Sequence, residues 1–426
     1  MSKYKNIDTA CVRAGYEAKN GDSSIPPIVQ STTFSYEKTS EIADLFDLKE
    51  SGFFYTRLGN PTIDALEKKI ADLDGGVCAV GTGSGQAANL LAVLNIAKAG
   101  DNIVAVNNIY GGTYNLFANT LRDLGIETKF VNHNDLDELR AAIDDNTKLI
   151  FGETISNPKA SVIDIKSYAD IAHEHNIPLI LDNTLATPAL LRPIDFGCDI
   201  VTYSSSKYID GHAAALGGLI VDSGNFDWES GDFDRLTKPD ESYHGLIFTE
   251  QFKKAAYGAR LRTVGLRDYG AVISPQNAFL TILGLDTLAL RMNKHSENAL
   301  KVAQFLEDSE KVESVSYPFL ESSPSYPYAK KYLKGGSGVV SFEIKGGRDE
   351  ASKFIDSLNL ITLAVHVADV RSLALHPASS THRQLSDEEL EKVGVSKSLI
   401  RLSIGIEDAD DLIEDISQAL DKAVRR

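Results

Sequence analysis

The chain has 426 residues, with 43% hydrophobic and 24% charged residues and a formal net charge of −17 at pH 7. That length is enough for two domains with sizeable cores, and the composition is that of an ordinary soluble globular protein. The negative charge disfavours nucleic acid and anionic membrane surfaces as partners, and no apolar run approaches the ~20 residues that a membrane span needs.

The first 60 residues are predicted to form an irregular N-terminal arm. They contain the pair Pro26-Pro27 and a polar tract at 31–40, and they end in the aromatic and basic stretch FFYTRLGNP. Residues 1–21 are polar and lack the apolar core of a secretory signal. The three cysteines, at positions 11, 78 and 198, are too widely spaced for a disulfide framework or a metal box. These features predict a protein of the reducing cytoplasm.

From Pro61 the hydrophobic pattern predicts alternating helices and strands. Helical periodicity marks 61–75, 84–100, 113–125, 135–143 and 165–176, and short apolar strands lie between these stretches and after them, up to DIVTYS at 199–204. This alternation predicts a large domain over 61–270 with a mainly parallel sheet. Ligands in such sheets bind beyond the C-terminal ends of the strands.

The alternation breaks near residue 270. Residues 274–308 are predicted to be helical, and they are followed by β-like runs at 338–347 and 399–408 and a terminal helix over 408–424. A smaller α+β domain is therefore predicted over 271–426.

A lysine follows three hydroxyl residues at the end of a predicted buried strand. Ser204, Ser205 and Ser206 end the run IVTY, and Lys207 comes next. A lysine at such a place can lose solvent, and desolvation disfavours its charged form, which makes the amine a better nucleophile. Lys207 is therefore a candidate for a Schiff base with pyridoxal phosphate (PLP), although a lone lysine after a strand is more often a surface residue.

Other strand ends carry groups that complement such a lysine. A glycine-rich turn, GTGSGQAA, opens a helix and offers backbone N–H groups to an anion. Tyr110 could stack on a ring, Asp182 could hold a pyridine nitrogen protonated, and Asn157 adds an amide. Each of these residues alone has an ordinary structural explanation, but the set predicts a PLP site.

The chain resembles the Cys/Met-metabolism PLP-dependent enzymes, which include the cystathionine synthases and γ-lyases. The resemblance is carried almost end to end by FFYTRLGNPT, SGQAA, IYGGTYN, ETISNP, LDNT, SSKYIDGH, SYHGLIF, LRDYGAVISPQNAFL, HPASSTHRQL and IRLSIGIED. SGQAA and YHGLIF indicate the O-acetylhomoserine sulfhydrylase branch, also called homocysteine synthase. The resemblance implies PLP fold type I, the aspartate-aminotransferase-like α/β fold, with a seven-stranded sheet in the large domain.

The resemblance also implies roles for individual residues. Lys207 would carry the cofactor and shuttle protons, Asp182 would pair with the pyridine nitrogen, and Tyr110 would stack on the ring. Arg401 would bind the substrate carboxylate. The remaining residues implied to bind the cofactor are Gly85, Gln86, Ser204 and Ser206 at the phosphate, Thr184 beside Asp182, Asn157 at the phenolic oxygen and the substrate, and Tyr55 and Arg57 from a neighbouring subunit, with Tyr55 also near the substrate.

Two places depart from the family pattern. Upstream of SLALHP the family has a small polar residue, an apolar residue, Gly and Asp, whereas this chain has His366-Val367-Ala368-Asp369. That loop borders the substrate site in the family. Ser205-Ser206 stands where Ala-Thr is usual, and Ser206 keeps the hydroxyl.

The implied activity is γ-replacement on O-acetyl-L-homoserine, with sulfide or methanethiol as the incoming thiol, in a homotetramer built from dimers. A γ-lyase of the same family is the main alternative. Methionine γ-lyases carry a cysteine where this chain has Gly112, which favours replacement.

Three further classes are weaker alternatives. Gly83-x-Gly85-x-x-Ala88 matches a dinucleotide fingerprint, but the next predicted strand is followed by Asn107-Asn108 and not by an acidic residue. The HxH of His173 and His175 falls in a predicted helix, and His376 and His382 lack metal-site spacing, so no metal is expected. A binding protein without catalysis would leave the lysine, aspartate and arginine unexplained.

Overall fold

The chain folds around a seven-stranded sheet in the computed structural model, which describes residues 4–380, 383 and 396–424. The strands are β1 (Cys78–Thr82), β2 (Asn102–Val106), β3 (Glu127–Val131), β4 (Thr147–Glu153), β5 (Leu179–Asp182), β6 (Ile200–Ser204) and β7 (Gly218–Asp222). Their order across the sheet is β1-β7-β6-β5-β4-β2-β3. All neighbours from β6 to β3 are parallel, and β7 is antiparallel to β6 and β1. The predicted mainly parallel sheet is confirmed.

Twelve helices lie before residue 270 in the described part of the chain. They are α1 (Ile7–Arg13), α2 (Thr39–Phe46), α3 (Pro61–Asp74), α4 (Gly85–Leu94), α5 (Gly111–Asn115), α6 (Leu136–Ala142), α7 (Ile165–Glu174), α8 (Thr187–Leu190), α9 (Asp234–Thr237), α10 (Phe248–Phe252), α11 (Ala256–Arg260) and α12 (Arg267–Tyr269). Helix α5 continues into a π-helical segment, Leu116–Leu121. The helix predicted over 84–100 is shorter than expected and ends at Leu94.

Helix α3 illustrates how local chemistry sets these bounds. The side chain of Asn60 accepts a hydrogen bond from the N–H of Thr62, and Pro61 occupies the first helical position. Gly75 ends the helix in the left-handed region at φ +79°. The apolar face predicted from the sequence is buried: Ile63, Leu66, Ile70 and Leu73.

The N-terminal arm is more regular than predicted. Helices α1 and α2 lie within residues 1–60, so the prediction of an irregular arm is wrong for these stretches. Helix α1 buries only two small side chains, Ala10 and Cys11, against the main hydrophobic core. Such a short helix with a weak apolar face leaves little periodic signal in the sequence.

The C-terminal part forms a second, smaller sheet, as predicted for an α+β unit. Its strands are β8 (Val312–Ser316), β9 (Val339–Ile344), β10 (Thr362–Leu363), β11 (Leu373–Leu375) and β12 (Leu399–Ser403), in the order β10-β11-β12-β9-β8. Its helices are α13 (Pro275–Asp286), α14 (Leu288–Glu307), α15 (Tyr326–Tyr332), α16 (Arg348–Asp356) and α17 (Ala409–Ala423). The single helical stretch predicted over 274–308 is divided at Thr287.

Two hydrophobic cores meet along helix α14. Its first turns place Leu288, Ala289 and Met292 in the core of the large sheet. Its later turns place Val302 and Leu306, with their neighbours, in the core of the smaller sheet. The division into an arm, a large domain and a domain beginning at residue 271 stays a prediction. Within the described ranges, no helix combines the length and the apolar character needed to cross a membrane.

Candidate active site

Three neighbouring parallel strands end at one edge of the large sheet. In the register of β4, β5 and β6, Glu153 lies beside Asp182, and Asp182 lies beside Thr202. Because parallel strands end together, the residues that follow them are brought to the same place. Lys207 comes three residues after the end of β6.

The environment of Lys207 agrees with the role predicted for it. Its Nζ lies 3.1 Å from Nδ1 of His366. Burial, aided by the positive charge of Arg401, lowers the pKa of Lys207 to about 8. An amine with such a pKa is neutral in a substantial fraction of molecules near pH 7–8, and the neutral amine is the nucleophile that Schiff-base chemistry needs.

Asp182 is a half-buried carboxylate that accepts hydrogen bonds from neutral groups. Its Oδ1 accepts from the backbone N–H of Thr184 at 2.9 Å, and its Oδ2 accepts from the side-chain amide of Asn89 at 3.3 Å. Burial raises the pKa of this carboxyl. A protonated ring nitrogen beside it would offset that cost, so Asp182 fits the pyridine end of PLP. Asn89, which orients the carboxylate, was not among the predicted site residues.

Glu153 is a buried carboxyl beside Asp182, and the sequence analysis missed it. Its Oε1 accepts a hydrogen bond from the backbone N–H of Tyr110 at 2.7 Å. Burial and the neighbouring charge of Asp182 raise its pKa well above the usual value. Glu153 ends the predicted strand KLIFGE in register with Asp182, and that position was the signal that could have identified it.

The glycine-rich turn leads directly into helix α4. The hydroxyl of Ser84 caps this ten-residue helix by accepting from the N–H of Ala87 at 3.1 Å. A Cβ on Gly85 would lie 2.6 Å from Cβ of Ser204, so only glycine allows this approach between the turn and β6. Gln86 is the next residue of the helix. The N–H groups at this helix start suit a phosphate, as predicted for Gly85 and Gln86.

The predicted hydroxyl residues lie along the same strand end. Ser204 donates its backbone N–H to the hydroxyl of Thr184 at 2.8 Å. The hydroxyl of Ser206 accepts from the N–H of Gly217 at 3.1 Å. Ser204 also packs on Gly85, so this strand end and the start of α4 lie together and suit the phosphate of PLP, whereas the Ser206 hydroxyl also donates to the carbonyl of Gly217 at 3.3 Å, and its part in that site stays a prediction.

Tyr110 lies at the start of α5 and its side chain is 51% exposed, as expected for a ring that covers a ligand. A Cβ on Gly112 would lie 2.5 Å from the Cε1 atom of Tyr110 and 2.6 Å from the amide nitrogen of Gln86. With Tyr110 and Gln86 in these positions, a side chain at Gly112 would clash with both. Gly112 is the position at which the sequence comparison placed the cysteine of methionine γ-lyases.

Arg401 reaches the site from the smaller sheet. It lies on β12, where it is only 8% exposed, so it does not face solvent. Its guanidinium donates to the carbonyls of Val365 and His366 at 3.2 and 3.3 Å and lies 3.5 Å from Oδ1 of Asn157. Its Nε is buried and has no partner among the described residues. A substrate carboxylate would complement this charge.

The two predicted residues of the arm, Tyr55 and Arg57, contact each other, and Arg57 also contacts α12. Arg57 donates to the carbonyl of Arg267, and its guanidinium lies over the ring of Tyr55, 5.2 Å from the ring centroid. Tyr55 is 41% exposed. A role for this pair in the site of a neighbouring subunit stays a prediction.

The geometry gives no support to a metal site within the described ranges. No group of three or more potential ligands is present there. His173 is held by the buried carboxylate of Asp199, with Nε2 and Oδ2 2.9 Å apart. His376 bonds to the carbonyl of Lys397 at 2.9 Å, and His382 lies outside the described residues.

Comparisons with known proteins agree with the site. Residues 8–421 match the profile of the family described as Cys/Met metabolism PLP-dependent enzyme. An O-acetyl-L-homoserine sulfhydrylase of Leptospira meyeri is 46% identical, over 92% of this chain and 91% of the relative. A homocysteine synthase of Schizosaccharomyces pombe is also 46% identical, over 98% of this chain and 99% of the relative.

A solved structure extends the comparison to the fold. A crystal structure of a putative O-acetylhomoserine (thiol)-lyase from Campylobacter jejuni is 42% identical and covers 97% of this chain and 99% of its own, with a TM-score of 0.94. That protein carries a pyridoxyl-lysine phosphate at its position 205.

Proposed function

Because the chain belongs to the Cys/Met metabolism PLP-dependent enzymes, we propose that it catalyses γ-replacement on O-acetyl-L-homoserine. Sulfide or methanethiol displaces acetate, which gives L-homocysteine or L-methionine. The supporting observation is the convergence of Lys207, with its lowered pKa, and the buried guanidinium of Arg401 at one end of the large sheet. Relatives named O-acetyl-L-homoserine sulfhydrylase also occur in Corynebacterium glutamicum and Thermus thermophilus, at 44% and 43% identity.

The residues of the site match the parts of PLP. Asp182 would hold the ring nitrogen protonated, and Tyr110 would cover the ring face. Gly85, Gln86 and the hydroxyls of Ser204 and Ser206 would hold the phosphate. When bound, the cofactor supplies an electron-withdrawing ring that acidifies the substrate carbons next to the amine.

The substrate is held by groups from both sheets. Arg401 would bind the α-carboxylate with two parallel hydrogen bonds, and Asn157 beside it would lie by the substrate and the phenolic oxygen of the cofactor. The amine of Lys207 would then take the Cα proton and hold it on Nζ. An amine of pKa about 8 suits that task, because it can both accept and return a proton near neutral pH.

The proposal is tested by product analysis. The purified protein is incubated with O-acetyl-, O-succinyl- or O-phosphohomoserine, each with sulfide and without it. We expect acetate and homocysteine in equal amounts from the acetyl ester only when sulfide is present. Formation of 2-oxobutyrate and ammonia at a similar rate without sulfide would identify a γ-lyase and contradict the proposal.

Arg401→Lys should weaken substrate binding while leaving the cofactor in place. Lysine keeps the charge but cannot form the two-pronged hydrogen bond. We expect the KM for O-acetylhomoserine to rise roughly 10- to 150-fold, corresponding to about 1.5–3 kcal/mol. The measurement is steady-state kinetics beside the absorbance spectrum of the bound cofactor.

Arg371→Lys is the matched control. Arg371 is an exposed arginine of the neighbouring loop, paired with Asp369 at 2.7 Å, and its replacement should leave KM unchanged. An unchanged KM in Arg401→Lys would mean that the carboxylate is bound elsewhere.

The active form is proposed to be a cytoplasmic homotetramer built from dimers, in which the arm, residues 1–60, completes the site of the neighbouring subunit. The exposure of Tyr55, which leaves its ring open to a neighbouring subunit, supports this arrangement. The large domain, 61–270, would carry the cofactor, and the C-terminal domain, 271–426, would carry Arg401.

Mixing two inactive variants should restore activity if the site is shared. Lys207→Ala subunits supply intact arms, and Arg57→Ala subunits supply intact lysines. In random dimers formed from equal amounts, about a quarter of all sites would have both groups. Activity after dissociation and re-association of the mixture is the measurement. A mixture that stays as inactive as its parents would place the whole site in one chain.

A further inference from the structure

The imidazole of His366 lies within hydrogen-bonding distance of the Lys207 amine. The two nitrogens, Nζ and Nδ1, lie 3.1 Å apart. His366 stands at the first position of the loop that departs from the family pattern, so the resemblance assigns it no role. In the proposed function, Lys207 carries on this amine the proton taken from the substrate.

The loop that holds His366 is tied to both sides of the site. The N–H of Val370 donates to the carbonyl of Gly211 at 2.9 Å, and the N–H of Gly211 donates to the carbonyl of Lys207 at 2.7 Å. The N–H of Ala368 donates to the hydroxyl of Ser403 at 2.7 Å, and Arg401 binds the carbonyl of His366. The backbone of this loop is therefore anchored to the backbone of the lysine segment and to two side chains of β12.

The charges around the pair make the neutral imidazole the favoured form. Burial and the positive charge of Lys207 lower the pKa of His366, Arg401 acts in the same direction, and Asp369 and Asp210 oppose them. Asp369 is itself paired with an arginine, Arg371. A neutral imidazole with its proton on Nε2 leaves Nδ1 free to accept. Nε2 is buried and has no hydrogen-bond partner among the described residues.

We propose that His366 is a positioning residue, whose Nδ1 accepts a hydrogen bond from Nζ of Lys207 while the lysine carries the proton taken from the substrate. The inference rests on the proposed function. In that step the Cα–H bond breaks, an N–H bond forms on Nζ, and the electron pair stays with the substrate and the electron-withdrawing cofactor. The acceptor stabilises the ammonium and directs the remaining N–H bonds, so the same nitrogen can return a proton to the substrate after the thiol has added.

The test compares His366→Leu, which removes the acceptor, with His366→Asn, which keeps an acceptor oxygen near the position of Nδ1. The full chain is freed of cofactor, and the rate at which an amine-directed reagent labels the Lys207 peptide is followed against pH. We expect the pKa of the lysine to fall by about one unit in His366→Leu and to change little in His366→Asn. The low-pH side of the turnover profile should shift in the same direction.

His212→Asn is the matched control, because His212 is an exposed histidine of the segment after Lys207 and bonds to the carbonyl of Asp210. This variant should change neither the pH dependence of Lys207 labelling nor the pH profile of turnover. An unchanged labelling curve in His366→Leu would overturn the proposal.

A second measurement covers the case in which His366→Leu does not fold. In Lys207→Met, the nitrogen NMR signal of Nδ1 in His366 should shift from its wild-type position, and an unshifted signal would also overturn the proposal. Both readouts need no substrate, so they stand or fall separately from the γ-replacement assay.

Discussion

Replacing Lys207 by methionine is expected to abolish covalent attachment of the cofactor and to lower turnover by about 10³-fold or more. Methionine matches the length of the lysine side chain but provides neither a nucleophile nor a proton carrier. In the unaltered protein, borohydride reduction should fix the cofactor to a peptide that contains Lys207. Absorbance, peptide mapping and steady-state kinetics are the measurements.

A control distinguishes loss of chemistry from loss of structure. Lys68→Met removes a surface lysine whose partner is Asp64, and it should retain colour and activity. The hypothesis for Lys207 is lost if borohydride labels another lysine, or if the methionine variant still binds the cofactor covalently.

Asp182→Asn is expected to lower turnover by about 10²–10³-fold while the protein stays folded. The amide preserves the shape and can keep the contacts with Thr184 and Asn89, but it cannot stabilise a protonated ring nitrogen. The ring would then withdraw electrons less strongly from the substrate. The measurements are kcat with O-acetylhomoserine and the spectrum of the bound cofactor.

Asp222→Asn is the matched control for this prediction. Asp222 is a buried aspartate, and burial raises its pKa to about 7. Asp222 pairs with Ile200, the first residue of β6. It therefore lies near the N-terminal ends of the parallel strands, whereas Asp182 lies at their C-terminal ends. This variant can change stability but should keep the spectrum and kcat. Near-normal kcat in Asp182→Asn would rule out the assigned role.

The fold could be predicted where a periodic apolar pattern was long enough. The parallel strands and helix α3 are marked by buried positions at strand and helix spacing. Helix α1 could not be predicted in that way, because it buries only Ala10 and Cys11. The break at Thr287 was also missed, since apolar residues continue on both sides of it and the nearby glycine, Gly284, lies within α13.

The sequence allowed prediction of the site residues that follow strands, but not of the hydrogen bonds that connect them. Lys207 and Asp182 follow apolar runs, and that order along the chain is visible in the sequence. Asn89 and Glu153 act through hydrogen bonds and register between segments that are distant in sequence. His366 and Lys207 are 159 positions apart in the sequence. Their contact depends on how the loop after β10 packs on the large domain, and no local sequence pattern predicts that packing.

Helix α14 also bears on how the protein unfolds. Its first turns are packed in one core and its later turns in the other, so neither core can lose its packing without exposing part of the same helix. Separate melting of the two halves would require breaking this helix near its middle, where His295 is buried and bonds to the carbonyl of Ile404 on the chain after β12. The halves are therefore coupled, and loss of packing in one core should destabilise the other.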